Sequence, residues 1–499
     1  RRPALFFTAG AGLREGGASR GRGGVGGAPP PAAPPPPPPA LAQLSAGYTP
    51  HPMSDAAEGR KRRREERDDE QEDGEEGEAS CSEGEEGEDE READSSGESE
   101  EEEESLFVAC QEGDLDALEA LAKDGTLEVN RRDKEEGDLP LSVACRWGHL
   151  NVAKWLHEKG ADLFAANEAG EAPIHEAAIN GSVEVLQWLL AGLGDRRKAE
   201  IDRRTDSGMT PLGFACLRGN VAAAKALHDA GASPSVIDAM DHSLLHLACS
   251  NGRIEAAEWV LSVMPSVGGV SSLDKRDAHG RTALMLAAGE GRLETVRWIV
   301  EQGGDVKLAD DGGDTALHYA AAFGDSSTAI WLIENGAPAD VTSKAGNLPL
   351  HHAAQAGAQD LVQKLLSAGC AIGARNGDGD TPFLLACFGG HVELCRMLAE
   401  LKEPVDVVND DKCSGLVQAC AAGKIEVAKW LLPRARALLE LPDARGATPL
   451  VHACEQGHSE VATWLLEEGA APLAVAATAA REAGLTRLAK QITAAMKSI

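Results

Sequence analysis

Residues 448–470 have the sequence TPLVHACEQGHSEVATWLLEEGA, and this pattern returns along most of the 499-residue chain. The hydroxyl of Thr448 can accept a hydrogen bond at the start of a helix, and Pro449 suits the first helical position. Gly457 lies seven residues after Leu450 and can adopt the left-handed conformation that ends a helix. A second apolar-faced segment follows. The unit therefore predicts a turn, a short helix, a second turn and a longer helix.

An apolar anchor residue at the position of Leu450 recurs with a period close to 33 residues. Numbered as repeats 1 to 10, the anchors are Leu141, Ile174, Leu212, Leu245, Leu284, Leu317, Leu350, Phe383, Leu416 and Leu450. Leu106 belongs to a degenerate earlier copy. Three residues after each anchor lies Ala, which allows neighbouring helices to approach closely, and seven residues after it lies Gly. This regularity predicts a solenoid in which each repeat contacts only its neighbours.

The repeated strings resemble the ankyrin repeat, which has a TPLHxAA start, a GHxEVxxLLxxGA continuation and a period of 33 residues. The resemblance is carried by TPLGFACLRGN at 210–220, TALHYAAAFGD at 315–325 and the string at 448–470. It implies an all-α ankyrin-repeat solenoid of about ten helix-turn-helix repeats plus caps. It also implies a non-enzymatic scaffold or adaptor that binds partner proteins through hairpin tips and the concave helix face.

Composition divides the chain into four segments, which are residues 1–52, 53–104, 105–479 and 480–499. The first is a low-complexity Gly/Pro-rich segment, and we expect the natural start to be Met53. The second is acidic with a basic cluster and has too few apolar residues to offset the entropy of ordering, so it predicts disorder. The third holds the ankyrin-repeat array with a degenerate N-terminal cap. The fourth predicts a C-terminal capping helix.

The formal net charge of −33 argues against nucleic-acid binding, because phosphate contacts need a basic face. No apolar run is long enough to cross a membrane. The absence of an export signal and of CxxC spacing predicts reduced thiols in the cytoplasm or the nucleus. The basic cluster at 60–64 is either a nuclear-import signal or a partner for the acidic run behind it. An alternative function follows from that run, namely a nuclear regulator or chaperone of basic proteins such as histones.

No residue pattern predicts catalysis, a cofactor or a metal site. Histidines fill the TPLH position or follow the helix-ending Gly, where we expect them to bond turns. Seven cysteines lie four residues after an anchor, where they should behave as small buried apolar residues. A metal site would need ligands clustered at short spacing, and the sequence shows none. Seven of the eight tryptophans lie 14 residues after an anchor; packing between second helices is favoured over an exposed aromatic stripe.

The residues near each turn Gly vary most on this constant frame, as expected of a surface that determines binding specificity. We therefore expect partner contacts at Glu168, Asp206, Met240, His279, Asp311, Lys344, Asp378, Lys412 and Arg445. The partners should be one or more proteins that meet a monomeric chain.

Two repeats are longer than the others, with insertions at 190–205 and 262–276. Insertions in repeat proteins often map to one functional face. The first insertion carries the basic residues Arg196, Arg197, Lys198, Arg203 and Arg204. It could bind an acidic partner, fold back on the acidic segment, or be a solvated loop. Repeats 8 and 9 also lack the usual Gly at the end of the second helix, at Lys402 and Ala435, which makes their loop geometry an open question.

Overall fold

The computed structural model describes residues 106–123, 127–134, 136–235, 238–264, 272–323 and 325–498. Within these ranges the secondary structure is helical, apart from the isolated bridges Ala309–Thr315 and Val408–Ser414. The all-α repeat architecture expected from the sequence is therefore confirmed. The segments 1–52 and 53–104, with Met53 and the basic cluster, lie outside the described residues.

Each repeat contains a first and a second helix. The first helices are Pro140–Trp147, Pro173–Asn180, Pro211–Arg218, Leu244–Ser250, Ala283–Gly289, Ala316–Ala322, Pro349–Ala356, Pro382–Gly389, Gly415–Ala421 and Pro449–Glu455. The second helices are Leu150–Glu158, Val183–Gly192, Val221–Asp229, Ile254–Val263, Leu293–Glu301, Ser326–Glu334, Gln359–Ser367, Val392–Glu400, Ile425–Leu431 and Ser459–Glu467. Each first helix packs against the first helices of the neighbouring repeats.

Helix pairs lie at both ends of this array. The N-terminal pair is 106–112 and Leu115–Lys123, and the C-terminal pair is Ala474–Glu482 and Thr486–Ser498. The expected boundary between residues 479 and 480 falls inside Ala474–Glu482, so the single capping helix expected from the sequence is one half of a pair. A pair arises because Ala476 and Ala480 face the preceding repeat and are fully buried.

The expected capping chemistry is present at some first-helix starts and absent from others. The hydroxyl of Thr210 accepts from the N–H of Gly213 at 3.1 Å, and Thr381 and Ser414 make equivalent contacts. The side chain of Thr448 makes no such bond. Pro449 still begins the helix there, as the sequence predicts.

The small-residue positions form the contact between neighbouring first helices. The ten alanines that lie three residues after the anchors are all 0% exposed. Cys145, Cys216 and Cys420, in the next column, are also completely buried. The interpretation of these cysteines as small apolar core residues is therefore confirmed. A larger side chain in either column would separate adjacent repeats.

The tryptophans of the second helices pack against the preceding repeat. The ring of Trp188 meets His157 edge-on at 5.9 Å, and Trp259 meets His228 at 5.8 Å. Trp298 is 8% exposed, and each of the seven indoles of this column is buried or half-buried. Packing between second helices therefore accounts for this column.

The two repeats that lack Gly at the end of the second helix form the following turn in different ways. Lys402 takes the left-handed conformation itself, with φ 72°. After the second helix of repeat 9, Ala435 leads into a 3₁₀ helix, Arg436–Glu440, which buries Leu438 and Leu439. Repeat 8 thus keeps the usual geometry, and repeat 9 replaces it with an extra turn of helix.

Gly357 shows why glycine ends a first helix. Its φ is 78°, and its N–H donates to the carbonyl of Ala354 at 3.3 Å. A Cβ at this position would lie 2.3 Å from Nδ1 of His391 in the next repeat. That imidazole is held by Nε2, which lies 2.9 Å from the carbonyl oxygen of Gln355. Both the backbone conformation and the neighbouring ring therefore require glycine.

We expect Gly357→Ala to lower the free energy of unfolding by about 2–3 kcal/mol, of which roughly 1–2 comes from the left-handed backbone and the rest from displacing His391. Gly469→Ala is the matched control, because its φ is 90° and nothing lies within 4 Å of the added Cβ. Urea denaturation followed by circular dichroism measures both variants. Equal losses would show that the His391 contact contributes nothing.

Candidate partner-binding site on the hairpin tips

Most hairpins between repeats are built around an acidic or amide side chain that organises its own turn, and two use the hydroxyls of Thr205 and Ser343. In repeat 8, Oδ1 of Asn376 accepts from the N–H groups of Asp378 at 3.1 Å and Asp380 at 2.8 Å. The backbone N–H of Asn376 donates to the carbonyl of Asp380 at 3.0 Å. Asp277 and Asp443 organise their turns in the same way. The Asp-x-x-Gly units of the sequence therefore form tight turns, as expected.

Backbone hydrogen bonds join each hairpin tip to the next. The N–H of Asp311 donates to the carbonyl of His279 at 3.0 Å, and that of Lys344 donates to Gly312 at 2.7 Å. Asp410 donates to Asp378 at 3.1 Å, and equivalent bonds connect the remaining tips. The structure thus brings the predicted partner-binding residues of successive hairpins into one continuous row, which we call the tip row.

The side chains of the tip row differ in accessibility. Exposed members are Glu168, Asp206, His279, Asp311, Lys344, Asp378, Lys412 and Arg445. Met240 is half-buried. Exposure at the tips agrees with a role in partner contact.

Lys412 occupies a different turn position from the one expected. Its φ is 60°, and its N–H donates to the carbonyl of Asn409, as Gly379 does to Asn376 in the preceding hairpin. Lys412 therefore stands where other hairpins have the turn glycine itself. Asp241 does the same in repeat 4, with φ 61°. The sequence hid this because the Gly that marks the turn elsewhere is missing from both hairpins.

Arg445 is held by its own repeat. Its Nε donates to Oδ2 of Asp443 at 3.2 Å, and its Nη2 lies 3.6 Å from Oε2 of Glu455. The guanidinium therefore stabilises the hairpin as well as facing solvent.

The basic insertion is ordered, with a 3₁₀ turn at Gly194–Arg196 followed by the helix Arg197–Glu200. The guanidinium of Arg196 stacks on the ring of Phe164 at 3.9 Å. Arg203 donates to the carbonyl of Phe164 at 2.6 Å and to Oε2 of Glu200 at 3.1 Å. These two arginines thus fasten the insertion to the segment that follows the second helix of repeat 1. Arg197, Lys198 and Arg204 are left exposed.

A buried ionic network supports the tips of repeats 4 and 5. Arg281 is 1% exposed, and its Nε donates to Oδ2 of Asp277 at 2.7 Å. His242 places Nδ1 2.8 Å from Oδ2 of Asp238 and Nε2 3.4 Å from Oδ2 of Asp277. Burial lowers the pKa of His242, but the hydrogen bonds to the two carboxylates outweigh it and raise the pKa to about 9. Two cations therefore neutralise two anions across the repeat junction.

The exposed side of the first helices adjoins the tip row and was not assigned residues from the sequence. We define the first-helix face by the fifth and sixth residues after the anchors in repeats 5–9, namely Gly289, Glu290, Ala322, Phe323, Gln355, Ala356, Phe388, Gly389, Ala421 and Ala422. Phe323 is 47% exposed, and its ring would lie 3.5 Å from a Cβ on Gly289. Glu290 is the single charged member. This near absence of charge was the signal available in the sequence.

Hydrogen bonding connects the first-helix face to the hairpins. Tyr319 lies on the same turn of helix as Phe323 and donates its hydroxyl to Oδ2 of Asp310 at 2.8 Å. Asp314 in this hairpin lies 3.8 Å from Nε2 of His352 in the next repeat. An uncharged surface and an acidic hairpin edge are thus contiguous in the middle of the array.

The described side chains show no activated nucleophile among the thiols whose pKa is shifted. Burial raises the pKa of Cys110, Cys216 and Cys249 to about 12. A thiol with such a pKa remains protonated and unreactive near neutrality. No helix in the described ranges is long and apolar enough to cross a membrane.

Comparison with known proteins shows that the chain is similar to parts of longer proteins. The chain is 30% identical to mouse Rabankyrin-5 over 145 residues, which cover 29% of the chain and 12% of that protein. It is 32% identical to human Ankyrin repeat and SOCS box protein 16 over 166 residues, covering 32% of the chain and 35% of that protein. The chain therefore spans about a third or less of these relatives.

Solved structures and a family model complete the comparison. The ankyrin repeat domain of Bcl-3 is 28% identical, with coverage of 44% of this chain and 95% of that one and a TM-score of 0.36. The human ASB11 ankyrin repeat domain is 26% identical, with coverage of 47% and 99% and a TM-score of 0.40. The family model described as Ankyrin repeats (3 copies) matches residues 88–167, 106–197, 174–268, 267–345, 350–436 and 401–476. Because these matches cover well over half of the sequence, the chain belongs to the ankyrin-repeat family.

Proposed function

We propose that the chain is a non-enzymatic adaptor that binds one or more proteins along the tip row and the first-helix face. Ankyrin repeats in general mediate protein–protein interaction. The observation that carries the proposal is the ladder of backbone hydrogen bonds between tips, such as Asp311 to His279 at 3.0 Å. This ladder holds the backbone of the tips in a constant arrangement, from which side chains of different types project.

A fixed frame favours binding because little conformational entropy is lost on association. The tip side chains project from rigid turns. Each turn is held by side-chain-to-backbone hydrogen bonds within it and by backbone hydrogen bonds to the neighbouring hairpins. An ordinary interface buries about 800 Å² on each partner, which a few adjacent repeats can supply. The partner can therefore be recognised by the central repeats alone.

Asp311 and Asp378 alternate with Lys344 and Lys412 in the central tip row, and these carboxylates indicate the chemistry of the partner segment. Burial raises the pKa of Asp378, and the neighbouring Asp411 and Asp410 raise it further. This repulsion among carboxylates would be relieved by a cation. The adjacent first-helix face exposes Phe323 and small side chains. We infer a partner segment with apolar anchors flanked by Lys or Arg.

We expect the double variant Asp311→Lys/Asp378→Lys to weaken partner binding by at least about tenfold, since like charges then oppose each other across the interface. Reversal at Asp378 removes repulsion within the chain, so the fold should be retained. The matched control is Glu301→Lys/Glu467→Lys, which makes the same charge change at the ends of second helices, where a cation is tolerated.

Affinity capture by the full chain, followed by measurement of Kd for each recovered protein, provides the comparison. Loss in the tip variant with retention in the control supports the proposal, and equal binding by both variants contradicts it. Capture by a chain that lacks residues 53–104 tests the alternative function, which is that of a nuclear regulator of basic proteins. If all capture is lost with that segment, binding depends on the acidic segment and not on the tip row.

A further inference from the structure

Three side-chain positions meet at each junction between repeats. The first position lies three residues before the anchor of one repeat. The second is the turn residue seven residues before the anchor of the next repeat, and the third lies two residues after that same anchor. At the junction of repeats 8 and 9 these are Asp380, Asn409 and Gln418. The amides of Asn409 and Gln418 donate to Oδ1 of Asp380 at 2.9 and 3.3 Å. The geometry of the junction therefore brings these positions within bonding distance.

Most junctions fill these positions with complementary hydrogen-bonding groups. Repeats 5 and 6 supply Arg281, Asp310 and Tyr319, and the tyrosine hydroxyl donates to Asp310 at 2.8 Å. Repeats 1 and 2 supply Asp138 and Glu176, which Arg146 bridges at 2.6 and 2.7 Å. In each case a donor or a cation satisfies the carboxylates.

The junction of repeats 9 and 10 contains a different set, consisting of Cys413, Asp443 and His452. One potential ligand atom from each of the three side chains lies within 4.8 Å of the other two. Nε2 of His452 is 3.0 Å from Oδ2 of Asp443. Asp443 and His452 are buried, and Cys413 is half-buried. A thiol, an imidazole and a carboxylate converge there, and the exposed Arg445 also contacts Oδ2 of Asp443, at 3.2 Å.

We propose that Cys413, Asp443 and His452 form a binding site for a divalent transition-metal ion, with Zn²⁺ as the best match. Sulfur, nitrogen and oxygen donors in this number are typical of zinc sites with an open fourth position. Tetrahedral coordination requires ligand atoms roughly 3.3–3.7 Å apart, given metal–ligand bonds of about 2.0–2.3 Å. The imidazole and carboxylate already approach this spacing. Because the three ligand atoms all lie within 4.8 Å of one another, a contraction of about 1 Å completes the tetrahedral spacing.

The surroundings of the three ligands also suit a cation. Oε2 of Glu455 lies 4.0 Å from Nδ1 of His452. The carboxylates of Asp443 and Glu455 make the surroundings of the imidazole negative, and a negative pocket attracts a dication.

An ion can reach the site from the hairpin tip. The side chain of Arg445 is 65% exposed and contacts Asp443 from the solvent side. Because a long exposed side chain reorients readily, a dication can displace its guanidinium. In the free chain, Nε of Arg445 and Nε2 of His452 both lie within hydrogen-bonding distance of Oδ2 of Asp443, at 3.2 and 3.0 Å. The metal would replace both contacts.

Cobalt titration of the reduced full chain tests the proposal, because Co²⁺ bound to a thiolate gives a charge-transfer absorption in the near ultraviolet. We expect one equivalent of Co²⁺ to produce this band and Zn²⁺ to abolish it. Cys413→Ser should eliminate the band. His452→Tyr should weaken Co²⁺ binding by at least about tenfold while keeping a donor to Asp443, as Tyr319 does to Asp310.

Cys370→Ser is the matched control, since Cys370 is a buried thiol that bonds the carbonyl of Ala339 at 3.1 Å, apart from the cluster. It should leave the band unchanged. A band that persists in Cys413→Ser, one that disappears in Cys370→Ser, or its absence from the wild-type chain at millimolar Co²⁺ would each overturn the proposal. Circular dichroism of the variants confirms that they are folded, and the readout is independent of partner binding.

Discussion

Arg281→Met is expected to lower the free energy of unfolding by about 3–5 kcal/mol, because it leaves a buried carboxylate without its partner. Arg281 is among the largest fully buried side chains, and its Nε bonds Oδ2 of Asp277 at 2.7 Å. Removing the guanidinium also removes a neighbour of His242, at 3.3 Å. The loss should concentrate at the junction of repeats 4 and 5, since each repeat depends on its neighbours.

Arg396→Met is the matched control, because that side chain is 48% exposed and pairs with Glu393 on a helix surface at 3.0 Å. Exposed pairs contribute about 0–1 kcal/mol, so the control should change little. Adding Asp277→Asn to Arg281→Met should recover part of the loss by removing the unpaired charge. Urea denaturation followed by tryptophan fluorescence measures all four chains. A loss below 1 kcal/mol in Arg281→Met would show that the pair is not stabilising.

Acidification is expected to destabilise the array through four buried histidines, His175, His246, His318 and His351. In His351, Nδ1 accepts from the N–H of Leu348 at 2.9 Å, and Nε2 lies 3.0 Å from the carbonyl of Ala374 in the next hairpin. This arrangement requires the neutral ring with its proton on Nε2. Burial is the main cause that lowers the pKa of each of the four from 6.5 to about 4.

The direction of the pH effect follows from these values. Because the folded-state pKa lies below the unfolded value, the stabilisation is fully present above about pH 6.5. It is lost as the pH falls toward 4, since the unfolded chain then binds protons that the folded chain cannot accommodate. For His351 the loss amounts to about 2–3 kcal/mol by pH 4.5. Four such groups together make this the largest effect expected here.

The contribution of one histidine can be isolated by comparing wild type with His351→Gln in urea denaturation at pH 7.5 and pH 4.5. The variant should be less stable at pH 7.5, and the gap should shrink by about 2–3 kcal/mol at pH 4.5. His279→Gln, at an exposed hairpin tip, is the control and should follow the wild-type profile. A gap that stays constant between the two pH values would mean that His351 is not the titrating group.

The sequence alone was sufficient for the fold class, the number of repeats and most helix starts and ends. These features depend on short-range rules that act within one repeat. The left-handed backbone at Gly357 and the hydroxyl cap of Thr210 both follow from chemistry within about two helical turns. Every repeat must pack in the same way, so the same residue pattern occurs about ten times. This repetition allows the pattern to be recognised in the sequence.

Only the tertiary structure decided what the polar side chains do. The meeting of Cys413 with Asp443 and His452 joins adjacent repeats, and so does the contact between Arg281 and His242. The tip row likewise depends on bonds between successive hairpins. The sequence does not show how successive hairpins are offset or which side chains point inward. It therefore does not reveal that Lys412 occupies the position of the turn glycine, or that Arg445 contacts its own hairpin. Local sequence preferences determine the structure of a single repeat, whereas the stacking of repeats determines which side chains meet across a junction. The candidate metal site and the continuity of the binding surface both arise from stacking.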